Sequence, residues 1–113
     1  MKMRRRSREM ALQVLFQHDV GRLPVDEALA VARGGSTGAD WPLVEALCAG
    51  TALHIEELDR IIECHLSDWT LDRLASADRV ILRMALYELR YLGTPPAVAI
   101  SEAVELAKRY GTG

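Results

Sequence analysis

Five of the first eight residues are cationic, and their side chains are of the types that bind anions. Lys2, Arg4, Arg5, Arg6 and Arg8 occur there without one acidic residue. Arginine and lysine donate charge-assisted hydrogen bonds to phosphate oxygens. The cluster therefore predicts a surface for a polyanion, with nucleic acid as the first candidate. A frayed, solubilising end, or plain use of arginine as a helix former, is the alternative.

A second basic set lies on the helix predicted over residues 77–92. At about 100° per residue, Arg79, Arg83 and Arg90 fall within roughly 40° of one another, and Tyr87 lies beside them. These four side chains are candidates for binding RNA or a protein partner. The alternative is a solvated helix face, or ion pairs with nearby acids, which contribute little to stability.

The residue types used in catalysis and metal binding are present, but their spacing is unsuitable. On a helix, Cys48, His54 and His65 would be separated by roughly 9 and 16 Å, and Cys64 and His65 would point about 100° apart. Glycine-rich nucleotide loops, nucleophile elbows and paired-histidine motifs are lacking. We expect no catalytic site, no metal and no cofactor, and we expect both cysteines to be reduced and buried.

Composition favours an all-α fold in a single domain spanning residues 1–113. Half of the chain is hydrophobic, only 5% is aromatic, and alternating β-branched runs are absent. The net charge of −2 hides the basic start, because the remaining residues carry nine cations against 16 acids. No apolar run approaches the length of a membrane span, so we expect a cytoplasmic protein with no membrane contact.

Apolar residues at helical spacing predict six helices and two small bundles that share a long third helix. The predicted ranges are about 5–19, 25–33, 42–66, 70–75, 77–92 and 97–110. Three predicted inward faces matter below: Ala11, Leu12, Leu15 and Phe16 on the first helix; Ile81, Leu82, Ala85, Leu89 and Leu92 on the fifth; Ile100, Ala103, Val104 and Ala107 on the sixth.

Four ordered blocks of sequence resemble the NusB family of bacterial transcription antitermination factors. The blocks are RRRSREMALQVLFQ at 4–17, Ala49 and Gly50 followed by His54 and Asp59, DRVILRMALYEL at 78–89, and AVAISEAVELAKRYG at 97–111. Together they span nearly the whole chain. An arginine-rich opening alone would be weak support, whereas four blocks in the same order are specific.

The resemblance implies an all-helical RNA-binding protein that pairs with NusE, a small-subunit ribosomal protein. The pair would hold the single-stranded boxA element of ribosomal RNA leaders within the RNA polymerase antitermination complex, suppress termination and support rRNA processing. The arginines at 4, 5, 6 and 8 match the family's basic RNA-contacting end. Phe16 stands where the family often has tyrosine, so a hydroxyl is lost while a stacking face is kept.

The resemblance also implies a difference at the end of the chain. Family members continue into a loop and a final helix, whereas this sequence stops at Gly113. Without that helix we expect part of the apolar stripe on the fifth helix to face water. Self-association as a homodimer, or marginal stability, would follow.

Two other classes of function remain open at this point. The same helical domain is similar to the N-terminal part of a ribosomal RNA cytosine methyltransferase, but no Rossmann-like pattern follows it here. The second alternative is a helical adaptor that binds protein and has no role with RNA.

Overall fold

The computed structural model describes residues 2–35, 38–66 and 70–111, and within these ranges every element is helical. The predicted all-α fold is thereby confirmed. The helices are α1 (Lys2–Gly21), α2 (Val25–Gly34), α3 (Trp41–Leu53), α4 (Ile55–Cys64), α5 (Ser76–Tyr87) and α6 (Pro96–Tyr110). A 3-10 turn at Leu71–Arg73 precedes α5, and a π-helix at Glu88–Leu92 continues it.

The first of two compact units, residues 1–53, contains α1, α2 and α3. Its core is built from apolar side chains of all three helices: Ala11, Leu12, Val14 and Leu15 of α1, Ala28 of α2, and Val44, Leu47 and Cys48 of α3. The predicted inward face of α1 is confirmed except at Phe16, which is 39% exposed. Phe16 lies at the edge of the stripe, where a helix surface turns from the core to solvent.

The prediction of one long helix over residues 42–66 is wrong, because the structure has two helices separated at His54. The backbone of His54, at φ −103° and ψ 18°, leaves the helical region. A new helix begins at Ile55 with two acids, Glu56 and Glu57, in its first turn. Carboxylates in that position stabilise a helix N-terminus. The apolar spacing continues across the break, which is why periodicity does not reveal it.

The second unit, residues 54–113, is organised around α5. Its core contains Leu58 and Ile62 of α4, Val80, Ile81 and Met84 of α5, and Ala99 and Leu106 of α6. The predicted inward face of α6 is wrong at two positions, since Ile100 is 58% exposed and Val104 is 46% exposed. Leu82 of α5 and Leu92 of the π-helix are exposed as well.

The exposure of Leu82, Ile100 and Val104 has a common physical reason. Helices α4, α5 and α6 surround an open apolar groove of about 670 Å³, whose lining includes Leu82, Leu89, Ile100 and Val104. The described residues leave the groove unfilled, so apolar side chains that a further packed element would bury stay in contact with water. Ala99 and Leu106 take the buried positions on α6 instead.

The end of α5 has an unusual form that positions later residues of the unit. Residues Glu88–Leu92 form a π-helix, and Gly93 follows with a left-handed φ of +66°. The amide of Thr94 donates to the Glu88 carbonyl over 3.3 Å, and the Thr94 hydroxyl donates to Glu88 Oε1 over 2.9 Å. Glu88 is buried, and these bonds terminate the helix at the predicted place.

Candidate nucleic-acid interface

The strongest candidate site is the basic tip, by which we mean Arg4, Arg5 and Arg6 in the first turns of α1. All three side chains are exposed. No acidic residue occurs in the first turn of α1 to offset them. The side chain of Lys2, predicted to belong to the same site, lies outside the described residues. The tip therefore combines three exposed arginines, of which Arg5 also takes part in an interaction within the protein.

Arg8 differs from the other predicted RNA-binding arginines. Only 4% of it is exposed, and it takes part in interactions within the protein. Its place on α1 explains this, because it lies one residue after the fully buried Ser7 and one turn before the core residues Ala11 and Leu12. In the structure Arg8 is therefore buried within its own unit, unlike the three exposed arginines of the tip.

Ser7 attaches the basic tip to the rest of its unit, a role that the sequence analysis missed. Its hydroxyl donates to the Met3 carbonyl over 2.7 Å and accepts the Asp40 amide N–H over 2.8 Å. Asp40 Oδ1 in turn accepts the Leu43 N–H at the start of α3. One signal was available: Ser7 stands four residues before Ala11, which places it on the inward stripe of α1.

Phe16 lies on α1 ten residues beyond the end of the basic tip, about 15 Å along the helix axis. Its ring is partly exposed, and the neighbouring side chains of Gln13 and Gln17 are exposed as well. An exposed ring on the helix that carries the arginines is available for a base to stack on. A role of Phe16 in binding RNA stays a prediction.

Two residues of the second basic set make contacts inside the protein. Arg79 donates hydrogen bonds to the carbonyls of Leu71 and Leu74 over 3.2 and 3.4 Å, and to the Ser76 hydroxyl. Arg83 is buried and forms a bidentate ion pair with Asp59. Its Nε donates to Oδ1 over 2.7 Å and its Nη2 donates to Oδ2 over 2.9 Å. Arg79 thus joins the 3-10 turn to the start of α5, and Arg83 joins α5 to α4.

Arg90 and Tyr87 belong to a different arrangement on the surface of the second unit. Arg90 is 45% exposed and donates to Glu57 Oε2 over 2.8 Å. The ring of Tyr87 stacks with those of His54 and Tyr91, and we call these three residues the aromatic cluster. The ring centroids are 4.3 Å apart for His54 and Tyr91, 5.2 Å for Tyr87 and Tyr91, and 6.0 Å for His54 and Tyr87.

Glu57 connects this cluster by hydrogen bonds, and it was missed because it stands on a different helix from Arg90 and Tyr91. The Tyr91 hydroxyl donates to Glu57, which together with Arg90 lowers the pKa of the carboxyl group. The same carboxylate raises the pKa of both Tyr91 and Arg90 by accepting their hydrogen bonds. At neutral pH the site therefore holds a charged Glu57 and Arg90 and an uncharged Tyr91.

The remaining predictions concern cysteines, metals and membranes. Cys48 is buried, which raises the pKa of its thiol to about 12, whereas Cys64 is exposed, contrary to prediction. Cys64 lies on the polar side of α4, away from Leu58 and Ile62. In the described part of the chain, no three His, Cys, Asp or Glu side chains converge to hold a metal ion. None of the described helices is long and apolar enough to span a membrane.

Curated proteins similar to this chain have one name in common. The transcription antitermination protein NusB of Geobacillus kaustophilus is 50% identical over 109 residues, which cover 96% of this chain and 82% of that protein. The protein of the same name from Bacillus subtilis is 46% identical over 109 residues, with the same coverage.

Solved structures agree with this similarity. NusB of T. maritima superimposes with a TM-score of 0.86 at 36% identity, covering 99% of this chain and 82% of that one. A crystal structure of the antitermination factors NusB and NusE in complex with dsRNA also gives a TM-score of 0.86, at 30% identity, covering 97% and 84%. Residues 5–113 match the NusB family as a whole. The chain therefore belongs to the NusB family of transcription antitermination proteins.

Proposed function

We propose that the protein binds boxA-type single-stranded RNA through the basic tip and acts together with NusE. The observation that carries this proposal is the exposure of Arg4, Arg5 and Arg6 on a helix turn that Ser7 fixes to the start of α3. The similar NusB and NusE structure in complex with dsRNA supports the choice of both partners.

The proposed mechanism involves no catalytic step and no cofactor. The tip neutralises phosphates, which supplies affinity and orientation without reading sequence. Phe16 offers its ring to a splayed base, and the bases are read jointly with NusE. Arg8 contributes indirectly, because its buried side chain supports the helix turn that carries the tip.

The cellular setting of this activity is part of the same proposal. The complex would work in the bacterial cytoplasm within the RNA polymerase antitermination assembly, where it suppresses termination and supports rRNA processing. Formation of a homodimer remains a prediction. Arg79 and Arg83 would affect RNA binding through the fold rather than by contact, because their guanidinium groups already bind carbonyls and Asp59.

Salt dependence of RNA binding is the sharpest test of the tip. Each phosphate contact to a single strand changes the slope of log K against log salt by about −0.7, so three arginines supply a slope near −2. We expect the combined Arg4→Ala, Arg5→Ala and Arg6→Ala variant to lose most of that slope, together with its affinity for a boxA-like RNA. Fluorescence anisotropy from 50 to 200 mM salt measures both quantities.

The control and the contrary results follow from the same titration. Phe16→Leu should weaken binding yet keep the wild-type slope, because stacking releases no counterions. An unchanged slope in the triple variant would contradict the proposal. A chain that binds NusE but shifts neither single-stranded nor double-stranded RNA, alone or with NusE present, would instead be a protein-binding adaptor.

A further inference from the structure

We propose that the aromatic cluster of the second unit is an additional RNA contact, at which one base of a single strand stacks on the ring of Tyr91. This inference rests on the proposed function, because it assumes that RNA is the ligand. It differs from that function in its site, its residues and its expected response to salt. The cluster contains His54 and Tyr91, which the sequence analysis did not assign to any binding role.

The rings of His54 and Tyr87 do not cover both faces of Tyr91. Both His54 and Tyr87 stack with Tyr91, but their own centroids are only 6.0 Å apart, well short of the sum of their distances to Tyr91. The two rings therefore do not enclose Tyr91 from opposite faces. Tyr91 is 42% exposed and the Arg90 guanidinium carbon lies over its ring, 5.9 Å from the centroid, so we infer that a planar base approaches the part of the ring that neither His54 nor Arg90 covers.

The ring of Tyr91 is also held in position before any ligand arrives. Its hydroxyl donates to Glu57, which lies in the first turn of α4, while its backbone lies in the π-helix that ends α5. His54 Nδ1 lies 3.4 Å from the same carboxylate. Short π-helical segments are frequent at functional sites. A ring that is fixed in advance loses little conformational entropy when it binds, which favours affinity.

The surroundings of the ring suit a nucleobase better than a protein surface. Arg90 has its guanidinium carbon 5.9 Å from the Tyr91 centroid, and Glu57 neutralises its charge. A protein interface centres on a desolvated apolar pocket, whereas the groups that contact this ring are charged or aromatic: Glu57, Arg90, His54 and Tyr87. Stacked aromatics beside an arginine are typical of surfaces that bind single strands.

Because Arg90 is paired with Glu57, we expect RNA binding at this site to depend little on salt. Stacking on an aromatic side chain contributes roughly 5- to 150-fold in affinity for each base, and it should leave the salt slope unchanged. The tip, by contrast, acts through phosphates and determines the slope. The two sites can therefore be separated in one set of salt titrations.

The experiment compares Tyr91→Leu with the matched control Tyr91→Phe, using boxA-like RNAs that carry 2-aminopurine at successive positions. Tyr91→Leu removes the ring and should weaken binding about tenfold at an unchanged slope. Tyr91→Phe removes only the hydroxyl and should bind within about twofold of the wild type. One position of 2-aminopurine should be quenched by the wild type and by Phe16→Leu, but not by Tyr91→Leu.

Each outcome decides one of the two proposals. Wild-type affinity and wild-type quenching in Tyr91→Leu would overturn the inference and leave the basic tip intact. Loss of NusE binding with RNA affinity preserved would also overturn it, and would make the cluster a protein contact. If circular dichroism shows that Tyr91→Leu is unfolded, the test uses Tyr91→Phe instead. Absence of 2-aminopurine quenching by Tyr91→Phe at every position would then overturn the inference. Failure of the proposed function shows separately, as a wild-type chain that binds no RNA.

Discussion

At the scale of single residues, two ion pairs with the same chemistry differ in what they contribute. Arg83 is buried and binds Asp59 through two hydrogen bonds, whereas Arg33 and Glu45 are both largely exposed and joined by one contact of 3.1 Å. Exposed pairs contribute little, but removing one partner of a buried pair leaves an uncompensated charge. The surroundings of the arginine, rather than its identity, determine the effect.

This contrast gives a stability prediction with a matched control. Asp59→Ala should lower the free energy of unfolding by about 2 to 3 kcal/mol, because it removes two hydrogen bonds and the opposite charge from a buried guanidinium. Glu45→Ala should cost less than about 1 kcal/mol. Urea denaturation followed by circular dichroism measures both values. Equal losses of unfolding free energy in the two variants would show that the Asp59 carboxylate does not stabilise the buried guanidinium of Arg83.

Residue types alone could identify the basic tip but not the partners of the second basic set. The helical projection grouped Arg79, Arg83 and Arg90, but in the structure their side chains bind different partners. It could not show that Arg83 meets Asp59, which stands 24 residues earlier. Nor could it show that Glu57 binds both Arg90 and Tyr91. Such contacts depend on how α4 packs against α5, and spacing within one helix carries no information about that packing.

At the scale of elements, Gly93 shows where backbone conformation limits the choice of residue. It adopts a φ of +66° after the π-helix, and a Cβ added there would meet no atom within 4 Å. Gly93→Ala should therefore cost about 1 kcal/mol through backbone strain alone. Gly93→Asn should cost less, since asparagine tolerates this region.

The control for Gly93 is Gly34, the last residue of α2. A Cβ added at Gly34 would also meet open space, but the backbone there has no left-handed φ. Gly34→Ala should be neutral or slightly stabilising, because alanine reduces the entropy of the unfolded chain. Thermal unfolding measures all three variants. A loss in Gly34→Ala as large as that in Gly93→Ala would mean that strain is not the cause.

Predictions of the elements succeeded where local pattern and packing agree. The stripe of α1 predicted Ala11, Leu12 and Leu15, and all three are buried. On α6 the same method chose Ile100 and Val104, which instead line an open groove. Apolar spacing identifies a face that requires burial, but it does not identify the element that covers it. The break at His54 was missed for a related reason, since apolar residues continue through it.

At the scale of the whole molecule, the charge is unevenly distributed along the chain. The first eight residues carry five cations and no acid, while the remaining residues carry more acids than bases. A polyanion that responded only to net charge would be repelled by a protein with a net charge of −2. RNA binding by such a chain therefore requires that the local field of the tip outweigh the average, which screening over about 10 Å at 0.1 M salt permits.

A charge-matched variant tests whether location or total charge controls binding. Replacing Arg60, Arg73 and Arg109 with alanine removes three exposed cations and gives the same net charge as the triple tip variant. Because these three side chains are outside the proposed RNA contacts, we expect this variant to keep RNA affinity within about threefold, together with the wild-type salt slope. The tip variant should lose both. Equal losses in the two variants, measured by anisotropy at 100 mM salt, would show that RNA responds to overall charge and that the arrangement of Arg4, Arg5 and Arg6 confers nothing specific.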